Sequence, residues 1–187
     1  MARRNLKVLK WTLVIALLVV VPWIGWKLFL RQHHLSFLPG AMGVSKILYV
    51  AEESWGFGPG GNETGIIVYE MPDDVTAALK AGGLTYLSGL PRQPTSNWQG
   101  VYANWRETPI VPDDQWLKSH NEGSWQWTSP GIGDFMFRYG FAHRFDEGIE
   151  KMVNDAIFKP GSFYAFGRIG LIVLIPAERR IVYAYNG

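Results

Sequence analysis

The chain has 187 residues and no cysteine. Without thiols there is no disulfide, no thiolate nucleophile, no cysteine-ligated zinc or iron–sulfur centre and no cysteine-linked lipid anchor. The net charge of +2 hides an asymmetry: six of the eighteen basic residues (3, 4, 7, 10, 27, 31) lie in the first 31 positions, and the rest of the chain sets twelve basic against sixteen acidic residues, a net −4. An acidic body argues against a nucleic-acid partner, which calls for the opposite sign.

Residues 1–10 form a basic tail carrying Arg3, Arg4, Lys7 and Lys10, and residues 11–30 are then apolar apart from Lys27. Twenty helical residues at about 1.5 Å each span about 30 Å, the thickness of a hydrocarbon core. Residues 11–31 therefore read as a transmembrane anchor that contacts the lipid bilayer. Trp11, Trp23 and Trp26 sit near its ends, where indole rings favour the interface, and Pro22 is tolerable within it. The basic excess precedes the run, which places the N-terminus in the cytoplasm and the bulk of the chain outside. A cleaved signal peptide needs small residues just after the apolar centre. Pro22, Trp23 and Trp26 stand there instead, and the small pair Ala41/Gly43 lies too far downstream. The expectation is an uncleaved single-pass protein of a bacterial inner membrane with its C-terminal body in the periplasm.

Residues 32–45 read as a juxtamembrane linker, with Leu35, Phe37 and Leu38 lying on the membrane surface before Pro39-Gly40 breaks the segment. Residues 46–187 then form one extracytoplasmic domain. Strands at 46–52 and 65–70 flank a glycine-rich loop and suggest a long-looped hairpin. Pro72-Asp73-Asp74 opens a helix to Lys80, with Gly82-Gly83 ending it and a short strand at 84–87. Loop follows at 88–99, extended chain at 100–111, one or two helical turns at 113–120, irregular chain at 121–133 and a strand at 134–142. Ile149, Met152, Val153, Ala156 and Ile157 repeat at helical spacing, so a helix runs over 146–158. Apolar runs at 169–175 and 180–185 flank a polar turn and form a hairpin, with 162–166 pairing beside them. The fold class is α+β: one transmembrane helix, then a small domain with a mainly antiparallel sheet of six or seven strands and two or three helices packed on one face.

Gly56–Gly61 matches G-x-G-x-x-G, but strand-like sequence follows it where a dinucleotide site needs a helix, and Pro59 removes an amide. The same loop carries a milder candidate site. Trp55, Asn62, Glu63 and Thr64 supply a stacking face and polar groups beside glycines that let the backbone approach a ligand. Trp125 and Trp127 alternate, so in extended chain they face one way and form a second candidate binding pair. The plainer explanation for each is structural: a long turn, and rings covering core edges. Asn62-Glu63-Thr64 is also a glycosylation sequon, relevant only in a eukaryotic secretory pathway. His33, His34, His120 and His143 show no metal-binding spacing, and no G-x-S-x-G is present. The acidic pairs Glu52/Glu53, Asp73/Asp74 and Asp113/Asp114 read as caps or as strand residues on opposite faces. No catalytic residue, metal or cofactor is assigned.

These observations point to a membrane-anchored binding domain with a protein or glycan partner, of which an inhibitor or immunity-type protein is one concrete form. Two alternatives stand beside it. One is an envelope-glycan enzyme using Glu63 or Glu122 beside tryptophan platforms. The other is an accessory subunit whose helix makes the contacts in a larger membrane complex.

Overall fold

The computed structural model describes residues 2–55, 62–91, 100–111, 131–136 and 145–186. The chain divides at Ser36/Phe37 into two units. The first is a single helix, α1 (Ala2–Ser36), with Pro22 inside it. Its stretch Lys10–Ser36 has mean hydropathy 2.3 over its most apolar window, none of which is buried, and is long and apolar enough to cross a membrane. Trp26, Phe29 and His33 stack along one side, with ring centroids 5.7 and 6.3 Å apart.

The second unit is an antiparallel sheet of six described strands: β1 (Ile47–Trp55), β2 (Asn62–Glu70), β3 (Arg106–Glu107), β4 (Phe163–Phe166), β5 (Gly170–Ile175) and β6 (Arg180–Asn186). Their spatial order is β1-β2-β6-β5-β4-β3. The hairpin expected around the glycine-rich loop is β1–β2, and the C-terminal strands β4, β5 and β6 form a meander that joins it through β2–β6. Helices α2 (Asp73–Ser88), α3 (Ile132–Met136) and α4 (Glu147–Phe158) complete the unit. Asp146 caps α4 by accepting the Ile149 amide at 3.0 Å, and the Tyr49 hydroxyl accepts the Asp146 amide at 3.1 Å.

The sheet is covered on both faces, where the sequence suggested one. On the first, Ile66, Val68, Leu171, Val173, Val182 and Ala184 meet Ile132, Phe135 and Met136 of α3 and Val153, Ala156 and Ile157 of α4. The second carries Ile67, Tyr69, Ile181, Tyr183, Tyr185, Leu174 and Phe163, all buried. There α2 approaches at Gly83, where a Cβ would sit 3.6 Å from the Phe163 ring. Phe37 stacks on Tyr183 and Tyr185 at 4.7 and 5.8 Å. The reason lies in β5 and β6: GLIVLI and IVYAY are apolar at every position, the pattern of strands buried on both sides.

Other departures have local causes. Gly82-Gly83 ends the first of two helical segments that make up α2, as expected, but a second segment follows directly. Gly83 takes φ 48°, ψ −127° and kinks the helix, which resumes to bury Leu87 where a strand was expected. Residues 134–136 of the expected strand at 134–142 lie in α3, which is tied to α4 by the Ile132 N–H donating to Asn154 Oδ1 at 2.8 Å, and 137–142 lie outside the described residues. The extended chain at 100–111 supplies only the two-residue β3. The stretch expected as a linker is divided too. The helix reaches Ser36, and Phe37, Leu38 and Met42 are buried core residues of the second unit. The helical turns expected at 113–120 lie outside the described residues.

Two glycines make room for the tyrosines of the second face. A Cβ on Gly65 would sit 2.7 Å from the Tyr185 hydroxyl, and one on Gly170 would sit 2.5 Å from the Tyr183 ring. Tyr183 is 1% exposed and stacked at 5.4 Å on Tyr185, so its ring has nowhere to retreat. Gly170→Ala is therefore expected to destabilise the fold by about 1–3 kcal/mol through overpacking. Urea unfolding measures this, and the double variant Gly170→Ala/Tyr183→Ala should lose less than the sum of its parts.

Candidate functional site

Strand pairing fixes how the hairpin presents its candidate residues. Trp55 opposes Asn62, Ser54 opposes Glu63, Glu53 opposes Thr64 and Glu52 opposes Gly65. Directly opposed residues share a face and neighbours alternate. Ser54, Glu63 and Glu52 therefore share the second face, and Thr64 and Glu53 the first. Thr64 is fully buried, with its hydroxyl 3.1 Å from the Met136 carbonyl oxygen and 3.0 Å from that of Tyr185. The Asn186 side-chain amide donates to the Phe135 carbonyl oxygen nearby, so this end of β2 and β6 holds α3 in place. Trp55 and Asn62 are paired where the hairpin strands reach the loop. The loop glycines themselves, Trp125, Trp127, Glu122, His120 and His143 lie outside the described residues.

Glu63 is half-buried and belongs to a polar cluster that the sequence left unnoticed. The Tyr185 hydroxyl crosses β2 above Gly65 and donates to Glu52 Oε1 at 2.6 Å. Burial pushes the Tyr185 phenol well above its ordinary range, and the Glu52 and Glu63 carboxylates beside it push the same way. The neutral phenol is thus a fixed donor to a carboxylate. Along this side of β1, Leu48, Val50, Glu52 and Ser54 are exposed, whereas Tyr49, Ala51 and Glu53 on the other side are half-buried. Among the described residues β1 pairs with β2 alone, which makes it an edge strand nine residues long with two exposed aliphatic side chains.

Two concavities lie elsewhere in the second unit. One is a groove of about 520 Å³ beside α4, lined in part by Lys151, Asp155, Lys159 and Glu178. Lys151 and Lys159 hydrogen-bond Asp155 at 2.6 and 2.9 Å and pull its carboxyl down to about 2. These charges neutralise one another. The other, of about 300 Å³, lies between the end of α2 and residues 100–105 and includes Tyr102, Asn104 and Trp105. No group of three or more metal-ligating side chains occurs among the described residues. Comparison with protein-family models, with curated proteins and with solved structures gives no match.

Proposed function

We propose that the chain is a single-pass membrane protein whose N-terminus is cytoplasmic and whose second unit is an extracytoplasmic binding module. The anchor reading is supported by the unburied apolar stretch Lys10–Ser36 and by the four basic residues that precede position 11. A bacterial inner membrane with a periplasmic module is the setting this topology suits.

The binding reading rests chiefly on β1, which among the described residues pairs on one side only. An edge strand offers a row of backbone donors and acceptors, and natural proteins block such edges unless they are used. Here Leu48 and Val50 are each 39% exposed beside Glu52 and Glu63. Aliphatic contacts flanked by carboxylates suit a protein partner with a basic rim, as the net −4 charge beyond residue 31 also does. An inhibitor or immunity-type protein is one form of such a module.

The test is site-specific photocrosslinking in intact cells from position 48 or 50, with the native anchor and with residues 11–30 replaced by an unrelated membrane helix. A single partner captured in both backgrounds, and lost on Glu52→Lys/Glu63→Lys, is the expected result. A partner captured only with the native helix would make the chain an accessory subunit that works through its anchor. The same yield with and without the charge reversals would contradict a basic partner at β1.

A further inference from the structure

We propose that the cavity between the end of α2 and residues 100–105 is a binding site for one neutral sugar ring of an envelope glycan. The inference builds on the reading of the second unit as a binding module and gives that module a second ligand class. The cavity has a volume of about 300 Å³. This is at the lower end of small-molecule sites and suits a ligand of single-ring size. Leu87, Ser88 and Leu90 line it from the end of α2, and Tyr102, Asn104 and Trp105 from the 100–105 segment.

None of the described residues lining it carries a formal charge. A phosphate, carboxylate or ammonium entering here would shed water without a counter-charge, which is costly. A hydroxyl-bearing neutral ring meets no such penalty. It has one weakly polar face for an aromatic platform and hydroxyls for uncharged hydrogen-bonding groups, and both kinds of partner are present. Tyr102 and Trp105 make a tilted corner, with ring centroids 5.7 Å apart at 48°. The corner is held from behind. The Tyr102 hydroxyl donates to the Phe37 carbonyl oxygen at 2.7 Å, and its ring edge fits against Gly167, where a Cβ would sit 3.1 Å away. Trp105 is half-buried, so part of its surface remains open. Asn104, exposed and at φ 56°, adds a side-chain amide to the lining, and the exposed Ser88 adds a hydroxyl. A rigid aromatic corner with adaptable neutral polar groups is preorganised for stacking with lateral hydrogen bonds.

The experiment is saturation-transfer NMR on the full chain in micelles of a zwitterionic detergent without a sugar headgroup. The probes are glucose, N-acetylglucosamine and, as a charged control, phosphoethanolamine. The expected result is transfer to the ring protons of at least one sugar and none to phosphoethanolamine. Trp105→Ala should weaken sugar binding roughly tenfold, and Trp105→Phe by less, as loss and partial loss of a stacking face require. Asn104→Ala, at an exposed position, gives a second reading if Trp105→Ala fails to fold, and should also weaken binding. Absence of transfer to either sugar, undiminished transfer in Asn104→Ala and folded Trp105→Ala, or preference for phosphoethanolamine overturns the proposal. Micelles make the result independent of which side of a membrane the unit occupies. A cytoplasmic location would thus refute the topology while leaving this measurement intact.

Discussion

Stability should collapse in alkali, beginning near pH 10. Tyr69, Tyr183 and Tyr185 are at most 3% exposed, and burial pushes all three phenols well above the ordinary tyrosine range, with Glu52 adding to the shift at Tyr69 and Tyr185. In the unfolded chain a tyrosine ionises near pH 10. Above that pH the unfolded state sheds protons that the folded state keeps, so the folded state loses ground as pH rises. The stabilising contribution is whole below pH 10 and drains away as pH climbs toward the folded-state values. Each phenol contributes a slope of about 1.4 kcal/mol per pH unit, hence about 4 kcal/mol per unit for three. Two units above pH 10 thus remove about 8 kcal/mol, a large part of the roughly 5–15 kcal/mol that holds a domain folded. Urea midpoints measured between pH 8 and 11.5 should fall steeply above pH 10, and tyrosinate absorbance should appear together with loss of ellipticity. Tyr183→Phe should lower the slope by about 1.4 kcal/mol per pH unit. A stability that stays level to pH 11.5 would mean that these phenols are not sealed in the sheet.

The second large effect concerns the helix. Arginine at the centre of a membrane span costs about 2.5–3.5 kcal/mol on the insertion scale. Leu18→Arg/Val19→Arg should therefore cost about 5–7 kcal/mol and move the chain from a carbonate-resistant membrane pellet to the soluble fraction or to degradation. Leu18 and Val19 are 68% and 65% exposed, so no packing within the protein obscures the result. Retention of the double variant in the washed pellet would show that something other than this helix holds the chain to the membrane.

Much of the fold was legible where period and punctuation agreed. The α4 face (Ile149, Val153, Ala156, Ile157) and the β5–β6 hairpin have strong local patterns with turn residues at their ends. The second covered face was also written in the chain, as strands apolar at every position. Deciding what covers such a face requires non-local contacts: Phe37 reaches Tyr183 across 146 positions of sequence. In sequence Phe37 and Leu38 read as membrane-surface residues, because apolar residues after an anchor look the same whether they meet lipid or a core. Gly82-Gly83 breaks the helix where the glycines indicate, but they do not tell that the chain after them is helical again rather than extended. At the hairpin, Glu63 and Thr64 were adjacent candidates. Only the register sends Thr64 inward to bond Met136 and places Glu63 on the side of Glu52 and Tyr185. The Glu52–Tyr185 bond joins residues 133 apart, and no local motif announces it.

Topology decides the account, and the cysteine-free chain makes it directly measurable. Single cysteines introduced as Glu178→Cys, at an exposed turn position, and as Arg4→Cys, in the basic tail, can be probed with a membrane-impermeant maleimide on spheroplasts before and after lysis. An extracytoplasmic second unit on an uncleaved anchor predicts labelling of the Glu178→Cys protein on intact spheroplasts and of the Arg4→Cys protein only after lysis, with both migrating as the uncleaved chain. Labelling of the Glu178→Cys protein only after lysis, or a mature polypeptide beginning beyond residue 31, would contradict it.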